Sequence, residues 1–457
     1  MVMGSLPEQV DLAVIGGGVG GYVAAIRASQ LGLNVALVEK NKMGGHCLNY
    51  ACIPSKTLIK IADIFYDAQH SQKFGITVQG ASIDPKAMLK WRTDVSAKLE
   101  NGVESLCKLN QIEVIKGTAT FLNSTTLQLT NGTSLDFKKA LIATGSESTP
   151  LKGFEFGGNI IDYKQALSLE FIPKSMAIVG AGYVAVEIGT LYAKFGTKVS
   201  IIARSDVLSR FDRDAIALVK ARLQELGVKI YMNASPASHD YNSVTLASGE
   251  KIDADTIVVA VGLTPYTNGL GLENTKVKVD AKGFIQVDRQ LRTSDPNIFA
   301  VGDVIGEPML AHKAIRQGVV AGEVAAGQNS SYDNLVVPAV IFSDPEIAIA
   351  GIVEEGNGIS ITKFPLSALG RSVALDTMRG FVKIAYDGSQ MVKGIEIVSD
   401  EASSMISEAA LAIEMGATLE DIASTIHPHP TYSEAVQEAA EAALGRPLHF
   451  FYPKAKK

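Results

Sequence analysis

Short apolar runs alternate with amphipathic stretches along this chain. The run from Val10 to Ile15 predicts a buried strand, and glycines, a helical stretch and a second apolar run at Val35 to Val38 follow it. The same order recurs later, between a strand at Met176 to Val179 and a closing strand at Val199 to Ile202. The pattern therefore predicts an α/β fold with two Rossmann-like βαβ units.

The first unit has glycines at the three positions where a turn must approach a dinucleotide pyrophosphate, namely Gly16, Gly18 and Gly21. The following helix N-terminus would meet the phosphate charge. Glu39 ends the second strand, where a carboxylate binds ribose hydroxyls. A glycine-rich turn without a ligand is the alternative, but a complete unit with a terminal acid favours a dinucleotide site.

The second unit has Gly180, Gly182 and Ala185 at the same turn positions. Alanine suits the third position because that position needs only a small residue for helix–strand packing. Two such units in one chain predict two bound dinucleotides. That is the arrangement of a flavoprotein that exchanges hydride with a nicotinamide coenzyme.

The terminal acid of the first unit has no counterpart in the second. It lies 23 residues beyond the first glycine, and the same step from Gly180 reaches Ala203, which Arg204 follows. An arginine there accommodates a 2′-phosphate, and Arg210 would add positive charge. We predict that the second site prefers NADP(H) to NAD(H), and the alternative is that Arg204 is a solvated surface charge.

Other segments predict a helix and two buried strands. An amphipathic helix is expected over residues 86–108, with an apolar stripe that packs in the core. The stripe consists of Val95, Leu99, Val103 and Leu106. The apolar segments at 140–146 and 257–265 each end at a glycine turn, and they would close the first and second domains.

Asp303 follows a predicted strand, where its carboxylate would hold a sugar or ribitol hydroxyl, and a helix is expected from about Met309. Beyond about residue 335 the pattern changes. Strands predicted at 339–342, 380–386 and 392–398 combine there with helices predicted at 401–416 and 433–444. This part is expected to form a separate α+β domain.

Composition and charge exclude several classes of protein. The 457 residues are 47% hydrophobic and 20% charged, as in a globular enzyme with a large core. The net charge of −6 argues against a nucleic-acid surface, and no apolar run reaches the length of a membrane span. The N-terminus lacks a basic start and an apolar stretch, and the cysteines are few, so we expect a cytoplasmic protein.

Cys47 and Cys52 lie five residues apart in GGHCLNYACIPSK. In a regular helix such residues point to diverging faces, so a disulfide between them requires a bent or unwound segment. Gly44, Gly45 and Pro54 permit one. A bridge inside a cell is more often catalytic than structural, and two unrelated buried thiols are the alternative.

The segment HPHPTYSEAVQEAA near the C-terminus contains a second candidate pair. A histidine side chain suits proton transfer to and from a thiol, and His429 is the candidate for that role. Glu434, five residues later, would orient the imidazole ring. The competing interpretation is a capping box between Thr431 and Glu434. His427 is predicted to be a loop histidine.

These motifs together resemble the flavin-dependent pyridine nucleotide:disulfide oxidoreductases, over about residues 9 to 450. The most specific markers are CLNYACIPSK, the AVGD segment with MLAHKA, and HPHPTYSE. The resemblance implies a homodimer with four domains in each chain. They would be an FAD-binding domain at 1–148, an NAD(P)-binding domain at 149–268, a central domain at 269–335 and a dimerisation domain at 336–457.

The resemblance also implies a role for each matching residue. Cys47 would exchange with a dithiol substrate, and Cys52 would lie against the flavin. His429, oriented by Glu434, would be the acid–base, supplied by the partner subunit. Lys56 and Glu187 would pair beside the flavin. The FAD contacts would be Gly16, Gly18, Gly21, Glu39, Lys56, Gly117, Thr144, Gly145, Asp303 and Ala311. The nicotinamide dinucleotide contacts would be Gly180, Gly182, Arg204 and Gly262.

The IPSK sequence resembles the lipoamide branch of the family. That branch oxidises dihydrolipoamide on a lipoyl-bearing protein of a 2-oxo acid dehydrogenase or glycine-cleavage system, with FAD and NAD(P). Some positions depart from the family pattern. His46 replaces threonine and brings a second titratable ring near the disulfide, Tyr50 and Ala51 replace valine and glycine, and Leu263 replaces arginine.

Three alternatives remain open at this stage. Arg204 also fits an NADPH-dependent reductase of a small disulfide, as in the glutathione-reductase branch, although that branch usually carries VPKK instead of IPSK. Mercuric reductase would need a C-terminal cysteine pair, and the chain has only Cys107 besides the first pair. A non-enzymatic flavoprotein is disfavoured by the complete set of catalytic candidates.

Overall fold

A computed structural model describes residues 9–209 and 211–451 of the chain. These residues divide into two compact units. The first takes in the described part of Met1–Ile172 together with Val258–Asp333, and the second takes in the described parts of Pro173–Ile257 and Asn334–Lys457. Within the described ranges, no helix is both long and apolar enough to cross a membrane.

The strands are short and distributed over the whole length of the chain. They are β1 Val10–Ile15, β2 Val35–Glu39, β3 Glu113–Lys116, β4 Ala119–Asn123, β5 Thr126–Leu129, β6 Ser134–Ile142, β7 Ser146–Ser148, β8 Ile160–Ile161, β9 Ser175–Val179, β10 Lys198–Ile202, β11 Lys229–Tyr231, β12 Pro236–Asp240, β13 Ser243–Leu246, β14 Lys251–Asp253, β15 Thr256–Val259, β16 Leu263–Pro265, β17 Ile298–Ala300, β18 Ala339–Ile341, β19 Glu346–Gly351, β20 Ile359–Pro365, β21 Phe381–Asp387 and β22 Val392–Ser399.

The helices connect and cover these strands. They are α1 Val19–Gln30, α2 Gly45–Asn49, α3 Cys52–His70, α4 Pro85–Leu109, α5 Tyr163–Ala166, α6 Tyr183–Lys194, α7 Arg213–Glu225, α8 Ala311–Ala325, α9 Gly370–Leu375, α10 Ala402–Met415, α11 Leu419–Ser424 and α12 Glu434–Ala443.

The first unit is built on a sheet in the order β3-β2-β1-β6, to which β17 adds in parallel and β5 and β4 add antiparallel. The apolar run of β1 is paired on both sides, because Val14 lies opposite Leu37 of β2 and Leu141 of β6. Helices α1 and α8 pack very closely, since a Cβ at Gly318 would lie 2.5 Å from the carbonyl oxygen of Gly20. The turn that follows β1 therefore leads directly into α1, which packs tightly against α8.

The second unit contains a parallel sheet with β11, β10 and β9 in that order, and a small antiparallel sheet of β12, β13 and β14. Its C-terminal part has an antiparallel sheet in the order β18-β19-β22-β21-β20. Helices α10, α11 and α12 contribute to the apolar core of this part, together with Phe364, Ile384 and Ile397. The sequence prediction of an α+β C-terminal region is confirmed.

The predicted βαβ strands and the C-terminal strands and helices are confirmed, with bounds that differ by one or two residues. The predicted stripe on α4 is confirmed for Val103, which is buried, and wrong for its two leucines. Leu99 and Leu106 are 39% and 47% exposed, whereas the buried face of α4 consists of Met88, Arg92, Ser96, Val103 and Cys107. Hydrophobic periodicity did not identify Arg92 and Ser96 as buried because both residues are polar.

Candidate active site

The two cysteines lie on either side of a break between two helices. Cys47 is inside α2, and Cys52 is the first residue of α3. The break occurs at Tyr50 and Ala51, and the φ and ψ of Ala51, −130° and −91°, lie outside the helical region. The predicted interruption is therefore present. Both residues are thiols in this structure, and a hydrogen bond joins their sulfur atoms.

The environment of the thiol pair favours one shared proton. The hydrogen bond with Cys52, burial and the charge that Cys52 would carry all raise the pKa of Cys47. The ammonium group of Lys56 acts in the opposite direction and lowers that pKa, while the Asp303 carboxylate raises it. Because two close sulfurs resist double ionisation, the surroundings favour the protonated form of Cys47.

His46 is a neutral, partly buried ring. Burial is the main cause that lowers its pKa to about 4, and the charges of Lys164 and Lys40 lower it further. Its Nδ1 lies 3.4 Å from the hydroxyl of Tyr163, and its ring meets the ring of Tyr50 edge-on at 6.0 Å. The second titratable ring predicted here thus adds no positive charge beside the thiols at neutral pH.

The first glycine turn forms an open cradle at the start of α1. Gly16 has a φ of +104°, and a Cβ at Gly21 would lie 1.9 Å from the carbonyl oxygen of Gly16, so neither position accepts a side chain. A Cβ at Gly18 would meet no atom within 4 Å. Gly18 is the N-cap of α1 and has no side-chain cap. This space and the helix N-terminus fit a pyrophosphate.

Glu39 stands beside this cradle, as the sequence predicts. One carboxylate oxygen accepts a hydrogen bond of 2.6 Å from the backbone N–H of Gly17, and the other accepts one of 2.7 Å from Asn41 N–H. The backbone N–H of Gly117, at the end of β3, donates to the carbonyl of Glu39 over 2.9 Å. The cradle and this acid suit the pyrophosphate and ribose of a dinucleotide.

Other predicted FAD contacts also lie in the first unit. Asp303 accepts a hydrogen bond of 2.7 Å from Ser146 Oγ, and burial raises the pKa of this carboxyl group. Thr144 Oγ1 donates to the carbonyl of Tyr266 over 2.7 Å. Gly145 has a φ of +74°. Ala311 is the first residue of α8, so the helix predicted from about Met309 starts two residues later.

The second glycine turn has the same form. Gly180 has a φ of +140°, and Gly182 is the N-cap of α6 with open space where a Cβ would point. At the end of β10, Ala203 is buried and Arg204 is exposed. Arg210, named above as a further charge, lies outside the described residues.

Two further residues predicted to contact the cofactors, Gly262 and Glu187, belong to different units. Gly262 has a φ of +140° and belongs to the first unit. Glu187, on α6 in the second unit, accepts a hydrogen bond of 3.1 Å from the backbone N–H of Phe342. The pairing of Glu187 with Lys56 stays a prediction.

His429 and Glu434 form a hydrogen-bonded pair. Nδ1 of His429 lies 2.8 Å from Oε1 of Glu434, and the other carboxylate oxygen accepts a bond of 2.7 Å from Thr431 N–H. One half of the predicted capping box is therefore present, but the N-cap of α12 is Ser433, which makes no side-chain cap. One oxygen of the Glu434 carboxylate contacts the ring of His429, and the other accepts the hydrogen bond from Thr431 N–H.

Sequence reasoning missed several side chains at these sites. Ser146 ends the apolar segment at 140–146, but nothing in the sequence pattern links it to Asp303. Lys313 is buried, and its Nζ donates to the carbonyl of Gly306 over 2.6 Å. His427 lies in the predicted loop, and its Nε2 is 2.9 Å from Glu408, which raises the pKa of the imidazole. Each contact joins residues whose proximity no local pattern indicates.

Comparison with known proteins identifies the family. Residues 10–318 match the family described as pyridine nucleotide-disulphide oxidoreductase, and residues 337–440 match its dimerisation domain. The chain is 45% identical to dihydrolipoyl dehydrogenase of Geobacillus stearothermophilus over 98% of this chain and 99% of that protein. It is 42% identical to dihydrolipoyl dehydrogenase of Bacillus subtilis, again over 98% and 99% of the two chains.

Solved structures with the same fold include LpdA from Mycobacterium tuberculosis, with a TM-score of 0.89 and 25% identity over 96% of this chain and 100% of that one. A second is the HOCl-induced flavoprotein disulfide reductase RclA from Escherichia coli, with a TM-score of 0.85 and 26% identity over 94% and 99% of the two chains. Sequence matches, fold and site agree, and the chain belongs to the pyridine nucleotide-disulphide oxidoreductase family.

Proposed function

We propose that this chain is a dihydrolipoyl dehydrogenase, which oxidises protein-bound dihydrolipoamide to lipoamide and passes the electrons to NAD(P)⁺. The observation that carries the proposal is the Cys47–Cys52 contact across the break between α2 and α3. The names of the relatives that match nearly the whole chain support it. The family implies FAD as the bound flavin and a pyridine nucleotide as the second substrate.

In the first steps, the substrate dithiol reduces the disulfide form of the two cysteines. Nε2 of His429 accepts the proton of one substrate thiol, and the resulting thiolate attacks the sulfur of Cys47. The Cys47–Cys52 bond breaks, and the electron pair of that bond stays on Cys52. The second substrate thiol, also deprotonated, then attacks the mixed disulfide and releases lipoamide. The cysteine pair gains the two electrons that the substrate loses.

Two charged groups assist this exchange. The ammonium group of Lys56 partly opposes the rise in the pKa of Cys47 that Cys52 and burial cause, and so eases the formation of a thiolate when lipoamide leaves. Glu434 accepts the hydrogen of His429 Nδ1 and stabilises the imidazolium that forms when Nε2 takes a proton. FAD, when bound, supplies the route by which the electron pair leaves the reduced thiols as a hydride for the nicotinamide.

The dimerisation domain supports a homodimer. We propose that each active site takes Cys47 and Cys52 from one subunit, and His429 with Glu434 from the other. The substrate would be the lipoyl group of a carrier protein from a 2-oxo acid dehydrogenase or glycine-cleavage system. The low number of cysteines agrees with a cytoplasmic location, which keeps ordinary thiols reduced.

We further propose that the coenzyme site prefers NADP⁺ to NAD⁺. Ala203 leaves the end of β10 without the acid that would hold a free 2′-hydroxyl, and the exposed guanidinium of Arg204 follows directly. A guanidinium in this place forms charge-assisted bonds with a 2′-phosphate.

Lys56 and Glu187 are proposed to pair beside the flavin ring.

The same arginine favours a second candidate function, an NADPH-dependent reductase of a small disulfide such as glutathione disulfide. One steady-state comparison separates the two. Purified enzyme is assayed with dihydrolipoamide and each oxidised coenzyme, and with glutathione disulfide and each reduced coenzyme. We expect kcat/KM to be highest for dihydrolipoamide. A higher kcat/KM for glutathione disulfide would reject the dihydrolipoyl dehydrogenase assignment in favour of the reductase.

A further inference from the structure

The buried face of α4 carries two polar residues that no predicted role explains. Arg92 is 7% exposed and Ser96 is 4% exposed, one helical turn apart. Their neighbours on this face are Met88, Val103 and Cys107. A buried guanidinium costs free energy unless hydrogen bonds compensate for the lost water. The contact that Arg92 makes on this face therefore needs an explanation.

That contact is with the turn between the two cysteines. Nη2 of Arg92 donates a hydrogen bond of 2.9 Å to the backbone carbonyl of Asn49. Asn49 is the last residue of α2, two positions after Cys47 and three before Cys52. A cation at this place also faces the negative end of a short helix. The buried charge on α4 thus holds the peptide at which α2 ends.

Asn49 is itself fixed on its other side. It is 2% exposed, and its Nδ2 donates to the carbonyls of Met43 and Gly45 over 2.9 and 3.1 Å. The side chain therefore ties the turn to the segment before Cys47, and the backbone carbonyl ties it to α4. Both attachments lie within the first unit.

The cluster of Asn49, Arg92 and Ser96 also contains polar atoms that could form further hydrogen bonds. Within the described ranges, Arg92 Nε, Ser96 Oγ and Asn49 Oδ1 are buried atoms without a hydrogen-bond partner. Native proteins hold few such atoms, and here they belong to three side chains on the contacting helices α2 and α4. Burial lowers the pKa of Arg92, while the phenol of Tyr50 opposes that shift. The guanidinium keeps its charge, since an arginine stays protonated.

We propose that Arg92 is a positioning residue for the Cys47/Cys52 couple, which holds the Asn49 carbonyl so that the two sulfurs stay in register as their bond forms and breaks. This inference rests on the proposed redox function of the two cysteines. The balanced reaction is the reduction of the disulfide by dihydrolipoamide, in which two electrons and two protons pass to the cysteines and lipoamide is released. The Arg92 bond to Asn49 accompanies the thiol form of the pair in this structure, and the inference is that it stabilises the reduced pair more than the disulfide.

The test is an equilibrium titration of the holoenzyme with mixtures of dihydrolipoamide and lipoamide. The reduced cysteines are trapped with an alkylating reagent after acid quenching and counted by mass, so the readout does not depend on turnover. We expect Arg92→Met to need a ratio of dihydrolipoamide to lipoamide about tenfold higher for half-reduction, because a charge-assisted hydrogen bond is lost. Arg92→Lys keeps the cation and is expected to reach half-reduction at a ratio close to that of the wild type.

Lys90→Met is the matched control, since it removes a cation from an exposed position of the same helix, where Lys90 pairs with Asp94. This control is expected to titrate like the wild type. A wild-type titration curve for Arg92→Met, or an equal shift for Lys90→Met, would overturn the inference. If Arg92→Met does not fold, the neutral variant Arg92→Gln takes its place, and a curve identical to the wild type again overturns the inference.

The outcomes also separate this inference from the proposed function. A wild-type enzyme whose cysteines take no electrons from dihydrolipoamide contradicts the proposed function itself. A wild type that titrates normally, with an Arg92 variant that matches it, contradicts the positioning role alone.

Discussion

Glu434 accepts the Nδ1 hydrogen of His429 over 2.8 Å and so leaves Nε2 as the ring nitrogen that can exchange a proton with a substrate. The imidazole side chain is 75% exposed while the carboxylate is 20% exposed. The carboxylate that is proposed to orient the ring is therefore sheltered, and the proposed acid–base is accessible. This arrangement suits an acid–base that must meet a substrate carried by another protein.

Replacing this carboxylate tests that relationship. Glu434→Gln is expected to lower kcat with dihydrolipoamide by about 10²-fold or more, because an amide stabilises the imidazolium poorly. The matched control is Glu438→Gln on the same helix, which disrupts the ion pair of 2.6 Å between Glu438 and His449. The control should keep wild-type kcat. Equal rates for the two variants would contradict a catalytic role for Glu434.

The two sulfurs are expected to be indispensable. Cys47→Ser should lower turnover with dihydrolipoamide by more than about 10³-fold, since serine cannot form the disulfide that accepts the electrons. Cys107→Ala is the control, because Cys107 is fully buried in the core of the first unit. Steady-state rates of the two variants give the comparison, and full activity of Cys47→Ser would reject the proposed chemistry.

Coenzyme choice is expected to depend on Arg204. Arg204→Ala should raise KM for NADP⁺ about tenfold and leave KM for NAD⁺ within about twofold, because only NADP⁺ has the phosphate that the guanidinium binds. Lys198→Ala, at the opposite end of the same strand β10, is the control. Initial rates with both coenzymes measure the effect. A preference for NAD⁺ that this substitution leaves unchanged would refute the NADP⁺ proposal.

His46 is expected to make the fold sensitive to acid. Its pKa is lowered from 6.5 to about 4 in the folded state, mainly by burial. The unfolded chain therefore binds more protons between these two values, and the free energy of unfolding falls as the pH drops from 6.5 to 4. The expected loss is about 2–3 kcal/mol. We expect Tm to fall less between pH 7.5 and pH 4.5 for His46→Thr than for the wild type.

The control for this prediction is His239→Gln, since His239 lies exposed on β12. The fall in Tm of this control between pH 7.5 and pH 4.5 should match that of the wild type. If the fall in Tm of His46→Thr is as large as that of the wild type, His46 is not a buried neutral ring.

The sequence predicted those parts of the fold that local patterns determine. Apolar runs of strand length and glycines at fixed spacing placed both βαβ units, because a turn such as that at Gly16 requires a residue without a side chain. It also placed the break between Cys47 and Cys52, since the spacing of the cysteines excludes one continuous helix. These inferences need only neighbouring residues.

The helix predicted over residues 86–108 is confirmed as α4, but its predicted stripe is wrong at Leu99 and Leu106. Its buried face includes Arg92, whose hydrogen-bond acceptor Asn49 is 43 residues distant. A hydrophobic pattern assigns polar residues to the solvent side of a helix, so it did not place Arg92 on the buried side. The neutral state of His46 was equally hidden, because burial and the charges of Lys164 and Lys40 set it. Contacts distant in sequence decide both outcomes.

The central claim is that electrons leave dihydrolipoamide through the Cys47–Cys52 bond to a bound flavin. A two-electron anaerobic titration of the purified enzyme with dihydrolipoamide, followed by visible absorbance, tests it most directly. The account predicts yellow protein that gains a long-wavelength band after two electrons, and a Cys47→Ser variant whose spectrum dihydrolipoamide does not change. Colourless protein, or a yellow protein whose spectrum shows no such band, would contradict it.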